Sequence, residues 1–426
     1  MTELNPSMNI NNFPSEILEE IFLRFVSPSK VHLSASPFIS SHCSPASPYV
    51  ISKICKQWRS IALKLGHLWT HLHVLDPQKI GIVQHLEEWM NRAGNLPLCL
   101  SLRQYGFYDD QASIAVATLF LNSLHRCQSF EMIVRTPLED FGLKNFTRVP
   151  STSLESVNVW YKDSLWADVE LLTNLLLNTP SLRTIRWCSL GPLDAVSHSW
   201  GNLRELSINC TRTFADFLDA LSHCQNLESL KIGDSFDDVL QQSVILPRLT
   251  HLSFLLDMGR EEILTSLTLP ALAELELVLF RRLEWDPVLD LIQRSGVMLR
   301  RLSITSRDIS GYSHVDRVNL TRILEMPYFQ ALRVLEVEEP TAGHDIIEFL
   351  TLPTSSSTGV GDENEGTAGY LVHLEKITLI FGGTRAMQIS QALRKLIKSR
   401  LGSPKPVSEY IKITKHIYFS LSIPST

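Results

Sequence analysis

Two histidines, His71 and His73, are the best candidates for metal ligands in this sequence, because they lie only two residues apart. They flank Leu72 in the segment HLWTHLHV, which is predicted to be a strand, so both imidazoles would lie on one face. A protein zinc site needs three or four ligands, and no neighbouring cysteine or carboxylate completes one. We therefore interpret both as surface histidines and expect no metal and no cofactor.

Other catalytic patterns are missing from the sequence. It contains no G-x-S-x-G, H-E-x-x-H, P-loop or dinucleotide-binding fingerprint. The glycine-rich stretch at 353–369 is not followed by Lys-Ser or Lys-Thr, and its acidic residues would repel phosphate. We predict that the chain is not an enzyme, and a hydrolase with an unrecognised site is the weakest alternative.

Composition restricts the partners and the compartment. The 426 residues carry a net charge of −6 and a pI near 6.2, so no overall positive field exists to attract nucleic acid or an anionic membrane. The start of the chain has no basic region followed by an apolar one, and apolar runs such as 112–121 are about half the roughly 20 residues of a membrane helix. Seven isolated cysteines favour reduced thiols. We expect a soluble protein of the cytoplasm, the nucleus or both.

The segment FPSEILEEIF, residues 13–22, predicts a short amphipathic helix of about three turns. Its apolar residues recur at helical spacing, from Ile17 to Phe25, and the glutamates fall elsewhere. Pro14 suits a first helical turn. So apolar a stripe at this point of the chain needs a partner surface.

A second helix is predicted from about Tyr49 to Leu65, with Gly66 as its stop signal. The preceding residues 27–48 are rich in serine and proline and are predicted to be a flexible insertion. Two short helices bury little surface, so this part of the chain is expected to be marginal unless it docks on something larger. The predicted inner face of the second helix comprises Ile51, Ile54, Cys55, Trp58, Ala62 and Leu65.

These two segments carry a family resemblance. FPSEILEEIF followed by ISKICKQWRSIALKLGHLWTHLHV resembles the F-box, and is most similar to the F-box-like proteins abundant in mushroom-forming fungi. The resemblance covers residues 12–75. The sequence departs from the usual pattern at Phe13, where leucine is common, and in the length of the insertion at 27–48.

The resemblance implies a binding site for the small linker subunit that joins F-box proteins to a cullin and a RING subunit in SCF-type ubiquitin ligases. The alternative is that the same residues pack only on the rest of their own chain. The predicted linker-binding residues are Phe13, Pro14, Ile17, Leu18, Ile21, Phe22, Cys55 and Trp58.

From about residue 95 the chain repeats a Leu-x-x-Leu-x-apolar unit. The first leucines stand at 154, 182, 203, 227, 249, 272, 299, 332 and 374, and most steps between them are 21 to 28 residues. That step is typical of leucine-rich repeats of roughly 20–29 residues, in which alternating apolar residues form a short strand. The segments between these strands have helical spacing, as at 166–180 and 214–224.

The predicted fold class is therefore α/β, with a small N-terminal helical F-box at 12–75 followed by an irregular leucine-rich-repeat solenoid, a horseshoe, at 76–426. The second part resembles the degenerate leucine-rich repeats that often follow an F-box. The acidic, glycine-rich and serine-rich stretch at 353–369 is predicted to be a disordered insertion. A generic α/β domain is the alternative.

Polar residues between the strand leucines are predicted to form a partner-binding face. An exposed Trp160 would be of the type enriched at interfaces, and glutamates concentrate in the later repeats, where a basic segment of the target would bind. The alternatives are a Trp160 buried against a loop and a solvated acidic face. The predicted residues are Trp160, Arg186, Glu205, Lys231, Glu274, Glu276, Arg301, Glu336 and Glu338.

Taken with its resemblances, the sequence predicts a non-catalytic substrate-recognition adaptor of an SCF-type ubiquitin ligase. The N-terminal helices would bind the linker subunit and, through it, a cullin, while the repeats bind an unknown target protein. A leucine-rich interaction scaffold that acts outside ubiquitination is the second reading.

Overall fold

The structure, a computed structural model, describes most of the chain in segments. These are residues 13–26, 47–77, 81–105, 110–146, 153–161, 165–190, 197–211, 214–233, 243–256, 262–279, 285–306, 317–338, 344–351, 371, 373–382, 386–401, 411–413 and 416–422. By its internal contacts the chain divides into two compact units, Met1–Asn202 and Leu203–Thr426. The predicted insertion at 353–369 and residues 27–46 of the predicted insertion at 27–48 lie outside the described residues.

The first unit begins with three short helices and continues as alternating strands and helices. Its five strands pair in parallel and in chain order, β1 with β2 through to β4 with β5. Its helices are α1 (Ser15–Val26), α2 (Pro48–Ser52), α3 (Lys56–Lys64), α4 (Ile82–Arg92), α5 (Asp110–Asn122) and α6 (Trp166–Leu177). Its strands are β1 (His71–Leu75), β2 (Leu98–Arg103), β3 (Cys127–Ile133), β4 (Ser156–Trp160) and β5 (Thr184–Leu190).

The second unit repeats this strand and helix alternation. Its parallel strands are β6 (Glu205–Thr211), β7 (Ser229–Ile232), β9 (His251–Leu256), β11 (Glu274–Leu279), β12 (Arg301–Ser306), β13 (Val334–Glu338) and β14 (Lys376–Gly382). Two antiparallel strands, β16 (His416–Ser422) and then β15 (Ile411–Ile413), follow β14 in the sheet. The short strands β8 (Val244–Ile245) and β10 (Leu267–Thr268) form a separate parallel pair. Its helices are α7 (Phe214–Ser222), α8 (Glu262–Thr265), α9 (Asp286–Ser295), α10 (Arg317–Leu324), α11 (His344–Leu350) and α12 (Ala386–Leu401).

The repeated leucines explain where the strands form. In all nine leucine-spaced segments a strand begins two residues after the first leucine, as at Leu154 and Leu272. All nine first leucines are at most 2% exposed. Burying a leucine side chain contributes roughly 1.5–3 kcal/mol, so each repeat is anchored in the core two residues before its strand begins.

The predicted architecture of a helical F-box followed by a leucine-rich-repeat horseshoe is wrong. The described chain is an α/β protein dominated by parallel strands, five in the first unit and, apart from the short β8–β10 pair, seven in the second, and its N-terminal helices do not form a separate helical region. Leucine spacing determines which side chains of a strand face the core, and that requirement is the same in a parallel α/β sheet and in a leucine-rich repeat. The alternative of a generic α/β domain describes the fold better.

The predicted second helix over Tyr49–Leu65 is also wrong, because two helices occupy that segment. Helix α2 ends at Ser52, and Cys55 has an extended backbone, with φ −154° and ψ 172°. The Cys55 Sγ then accepts a hydrogen bond from the backbone N–H of Trp58 at 3.4 Å, which caps the start of α3. The interruption moves Ile54 away from the predicted inner face, and its side chain is 56% exposed.

A cluster of aromatic side chains joins the first helices to α4 of the same unit. Trp69, which is fully buried, packs against Tyr49 of α2 and Trp89 of α4, with ring centroids 5.2 and 4.9 Å apart. Its indole Nε1–H donates to the carbonyl oxygen of Ala62 in α3 at 2.8 Å. The guanidinium of Arg92 lies 4.7 Å from the centroid of the Trp69 ring. This cluster is the physical reason why the N-terminal helices belong to the α/β unit.

Helix α12 of the second unit carries the basic residues Lys398 and Arg400 in its last turn. In the described part of the chain, no helix combines the length and the apolar character needed to cross a bilayer.

Candidate interaction surfaces

Helix α1 presents an apolar stripe to solvent. Ile17, Ile21 and Phe25 follow one another at four-residue spacing and are 48%, 37% and 47% exposed. Residues four apart lie on one face of a helix, so these three side chains form a continuous ridge, which we call the α1 stripe. An exposed run of large apolar side chains marks an interaction site in soluble proteins.

The neighbouring face of α1 packs inward. Leu18 and Phe22 are 0% and 1% exposed, and the Phe22 ring lies 4.9 Å from that of Trp58 in α3. These three residues were predicted to bind the linker subunit, but here they hold α1 to its own chain. A partner can reach the α1 stripe without disturbing them.

The remaining predicted linker-binding residues lie at the beginnings of helices. Phe13 is half-buried and Pro14 is exposed, and the Pro14 carbonyl accepts hydrogen bonds from the N–H groups of Ile17 and Leu18. Cys55 is half-buried and caps α3. Pro14 and Cys55 therefore position α1 and α3.

Exposed apolar side chains are concentrated in the first helices. Among the described residues, six of the eleven large apolar side chains that are exposed lie between residues 17 and 63. In addition to the α1 stripe, these are Val50, Ile54 and Leu63. The spacing in α1 indicated an apolar stripe, but the exposure of Ile54 could not be predicted without the break between α2 and α3.

The strand face of the first unit carries Trp160 and Arg186, both predicted to bind a partner. Trp160, at the end of β4, is 40% exposed, and Arg186 on β5 is also exposed. They are not register partners, because Trp160 lies opposite Ile133 and Arg186 lies opposite Asn158. The predicted exposure of Trp160 is confirmed.

Strands β2, β3 and β4 carry a polar cluster that was not predicted. Glu131 of β3 accepts hydrogen bonds from Arg103 Nε at 2.6 Å and Nη2 at 2.9 Å, from Asn158 Nδ2 at 2.7 Å, and from the Ser101 hydroxyl. Ser101 on β2 and Asn158 on β4 are the register partners of Glu131, and Arg103 lies two residues beyond Ser101 on β2. The alternation of polar and apolar residues in β2 and β3 was the signal that could have revealed them.

The electrostatics of this cluster centre on the Glu131 carboxylate. Burial alone would raise the pKa of Glu131, but the hydrogen bonds from Arg103, Ser101 and Asn158 and the charge of Arg103 hold its pKa below the ordinary value. The same hydrogen bond raises the pKa of Arg103. The cluster is a paired, hydrogen-bonded network in which the Glu131 carboxylate accepts from Ser101, Arg103 and Asn158.

His71 and His73 lie on the same strand face, but they are half-buried and not surface histidines as expected. Burial lowers the pKa of both, and that of His73 falls from 6.5 to about 4. The charges of His71 and Arg103 add to the lowering at His73, and Glu131 opposes it. Among the described residues, no group of three or more His, Cys, Asp or Glu side chains could hold a metal ion.

The low pKa of His73 predicts a pH-dependent stability of the first unit. The unfolded chain binds a proton at His73 near pH 6.5, whereas the folded chain does so only near pH 4. The free energy of unfolding should therefore fall as the pH is lowered through this window, by about 2 kcal/mol near pH 5 and about 3 kcal/mol in full. Urea unfolding of wild type and His73→Gln between pH 7 and pH 5 measures the difference.

The matched control for this prediction is His85→Gln on the exposed face of α4. The control should keep the pH dependence of wild type, and His73→Gln should lose most of it. Equal pH dependence in all three proteins would contradict the assignment to His73.

The second unit brings several of its predicted residues into a row of ion pairs. Arg301 Nη2 lies 2.6 Å from a carboxylate oxygen of Glu336, and Lys376 Nζ lies 2.6 Å from the other. Arg301 Nη1 is 3.9 Å from Glu274, which also lies 3.4 Å from the ring of His251. Burial would raise the pKa of Glu336, but the hydrogen bonds and charges of the two cations outweigh it and lower the pKa.

The other predicted residues of this face lie apart from those ion pairs. Glu276 and Glu338 are half-buried, Glu205 is half-buried on β6, and Lys231 is exposed on β7. All occupy strand positions that alternate with buried core residues, so they share the polar side of the sheet of this unit. The predicted acidic face is therefore partly neutralised by Arg301 and Lys376.

Comparison with known proteins does not identify this chain. No protein-family model matches it, and a search of curated proteins finds no significant match.

Proposed function

We propose that this protein is a non-catalytic substrate-recognition adaptor of an SCF-type ubiquitin ligase. In this proposal the α1 stripe binds the linker subunit, which connects the chain to a cullin. The strand faces of the α/β units bind the target protein. The chain would then act by proximity, since it brings a target lysine close to a ubiquitin-charged enzyme. Such an adaptor works in the cytoplasm, the nucleus or both.

One observation carries the proposal. Ile17, Ile21 and Phe25 form an exposed apolar ridge within the segment whose sequence resembles the F-box, and Leu18 and Phe22 anchor that ridge from beneath. A ridge of this kind is costly to leave in water and suits a second polypeptide, whose binding energy would concentrate in a few apolar anchors. The resemblance of residues 12–75 to the F-box is the reason for proposing the linker subunit as the partner, although the fold predicted from that resemblance was wrong.

The test is affinity purification of the tagged full-length chain from cells, followed by detection of the linker subunit and the cullin. The variant Ile17→Asp/Ile21→Asp should lose both proteins, because each aspartate would place a charge in an apolar interface. Ile17 and Ile21 are 48% and 37% exposed and lie outside the buried row of Leu18 and Phe22, so the variant should fold like wild type.

A matched control changes charge elsewhere on the same helix. Glu20→Lys alters an exposed residue, whose partner Arg24 is also exposed, and should retain the linker. A wild-type chain that recovers neither linker nor cullin would contradict the proposal and favour an interaction scaffold that acts outside ubiquitination.

A further inference from the structure

On the polar side of strands β11 and β13, two carboxylates have no cation beside them among the described residues. Glu274 and Glu336 are next to Arg301, and Glu336 is also next to Lys376. By contrast, Glu276 and Glu338 have no hydrogen-bond or ion-pair partner among the described residues. The polar side of the sheet between β11 and β13 therefore has a surplus of negative charge at two defined positions.

A buried hydroxyl without a partner lies beside the first of these carboxylates. Ser253 is the register neighbour of Glu276 and is 1% exposed, and its Oγ has no hydrogen-bond partner. Its chain neighbours Leu252 and Phe254 are in the core, so Ser253 lies on the same side of the sheet as Glu276. Leaving such a hydroxyl unsatisfied is unfavourable by roughly 1–3 kcal/mol, so a hydrogen-bond donor that reaches the Ser253 Oγ would be stabilised there.

The residues around Glu276 suit an arginine side chain. The register neighbours on both sides, Ser253 and Ser303, are small and carry hydroxyl groups that can accept a hydrogen bond. A guanidinium has five donors in one plane, so it can donate to the Glu276 carboxylate and to the Ser253 hydroxyl together. On β7, the register partner of Ser253 is the exposed Lys231. Its positive charge ends the acidic stretch on that side of Ser253.

We propose that the row Ser253, Glu276 and Ser303 binds an arginine side chain of an extended basic peptide, and that Glu338 binds a second basic residue of the same peptide. Glu276 and Glu338 are two strands and two residues apart, which corresponds to about 12 Å between their Cα atoms. An extended peptide spans about that distance between residues four apart, and both side chains then point to the same side. This inference deepens the proposed function and rests on it, since it names the class of target segment.

The test is fluorescence anisotropy with the full-length chain and the fluorescent peptide Gly-Arg-Ser-Gly-Ser-Arg-Gly. Binding should weaken as salt is raised, because the contacts are ionic. Glu276→Gln and Glu338→Gln should each lower the affinity about three- to fivefold, the range of partly exposed ion pairs. Ser253→Ala should lower the affinity about twofold while leaving the chain at least as stable, since it removes an unsatisfied hydroxyl.

Matched controls separate this site from general charge attraction. Glu228→Gln makes the same charge change at an exposed residue that pairs with Arg204, and it should bind the peptide like wild type. A peptide with citrulline in place of both arginines should not bind, and one with adjacent arginines should bind more weakly. Equal affinity of wild type and Glu276→Gln, or of the arginine and citrulline peptides, would overturn the inference.

The peptide measurement needs no linker subunit, so the two proposals can fail separately. A chain that binds the peptide through Glu276 but no linker would overturn only the proposed function. A chain that binds the linker but shows no peptide binding would overturn only this inference.

Discussion

Replacing Trp69 with alanine should lower the free energy of unfolding of the first unit by about 3–5 kcal/mol, the usual cost of removing a buried tryptophan. The side chain is fully buried, contacts the rings of Tyr49 and Trp89, and donates a hydrogen bond to Ala62. Because Trp69 joins α3 to α4, the backbone amides of both helices should exchange faster with solvent. Hydrogen exchange of peptides covering 56–64 and 82–92 measures this effect.

The conservative variant Trp69→Phe distinguishes ring packing from the hydrogen bond. It keeps an aromatic side chain between Tyr49 and Trp89 but removes the donor to Ala62, so a smaller loss of about 1–2 kcal/mol is expected. If Trp69→Ala loosened residues 56–64 and left residues 82–92 unchanged, the N-terminal helices would be an independent domain after all.

The second large effect is expected at Glu131. Replacing it with alanine removes the acceptor of four hydrogen bonds and leaves the Arg103 guanidinium, which is only 20% exposed, without its carboxylate. Breaking a buried ion pair on one side typically costs about 3–5 kcal/mol. Local stability from hydrogen exchange of peptides covering 98–103 and 127–133 at neutral pH measures the loss.

A double variant tests whether that loss comes from the unpaired charge. Replacing Arg103 and Glu131 together with leucine removes both charges and should be much less destabilising than Glu131→Ala alone. Additive losses in the single and double variants would show that the ion pair is not the source of the effect.

The sequence predicted the strands better than the architecture. Leu154 and Leu272 each precede a strand, and both are buried, because the alternation of apolar residues responds directly to the two faces of a sheet. The same alternation occurs in parallel α/β sheets and in leucine-rich repeats, so it could not distinguish between them. The parallel sheets form by pairing of strands from different repeats. The local pattern of apolar residues does not show which strands pair.

The candidate sites were predicted in part for a related reason. Ile17 and Ile21 were assigned to an apolar stripe by spacing, but Leu18 and Phe22 share that stripe in sequence and are buried. Which of two adjacent helical rows faces solvent depends on Trp58 and the break before α3, and both are tertiary features. Likewise, Glu336 and Glu276 looked alike in sequence, and only the pairing of strands placed Arg301 and Lys376 next to Glu336.

The adaptor proposal depends on an apolar ridge that a second polypeptide covers. Titration of the purified full-length chain with purified linker subunit, followed by calorimetry, tests this most directly. We expect a one-to-one complex with a negative heat-capacity change, the mark of buried apolar surface, and its loss in Ile17→Asp/Ile21→Asp. Linker binding of undiminished affinity in that variant, or no binding by wild type, would contradict it.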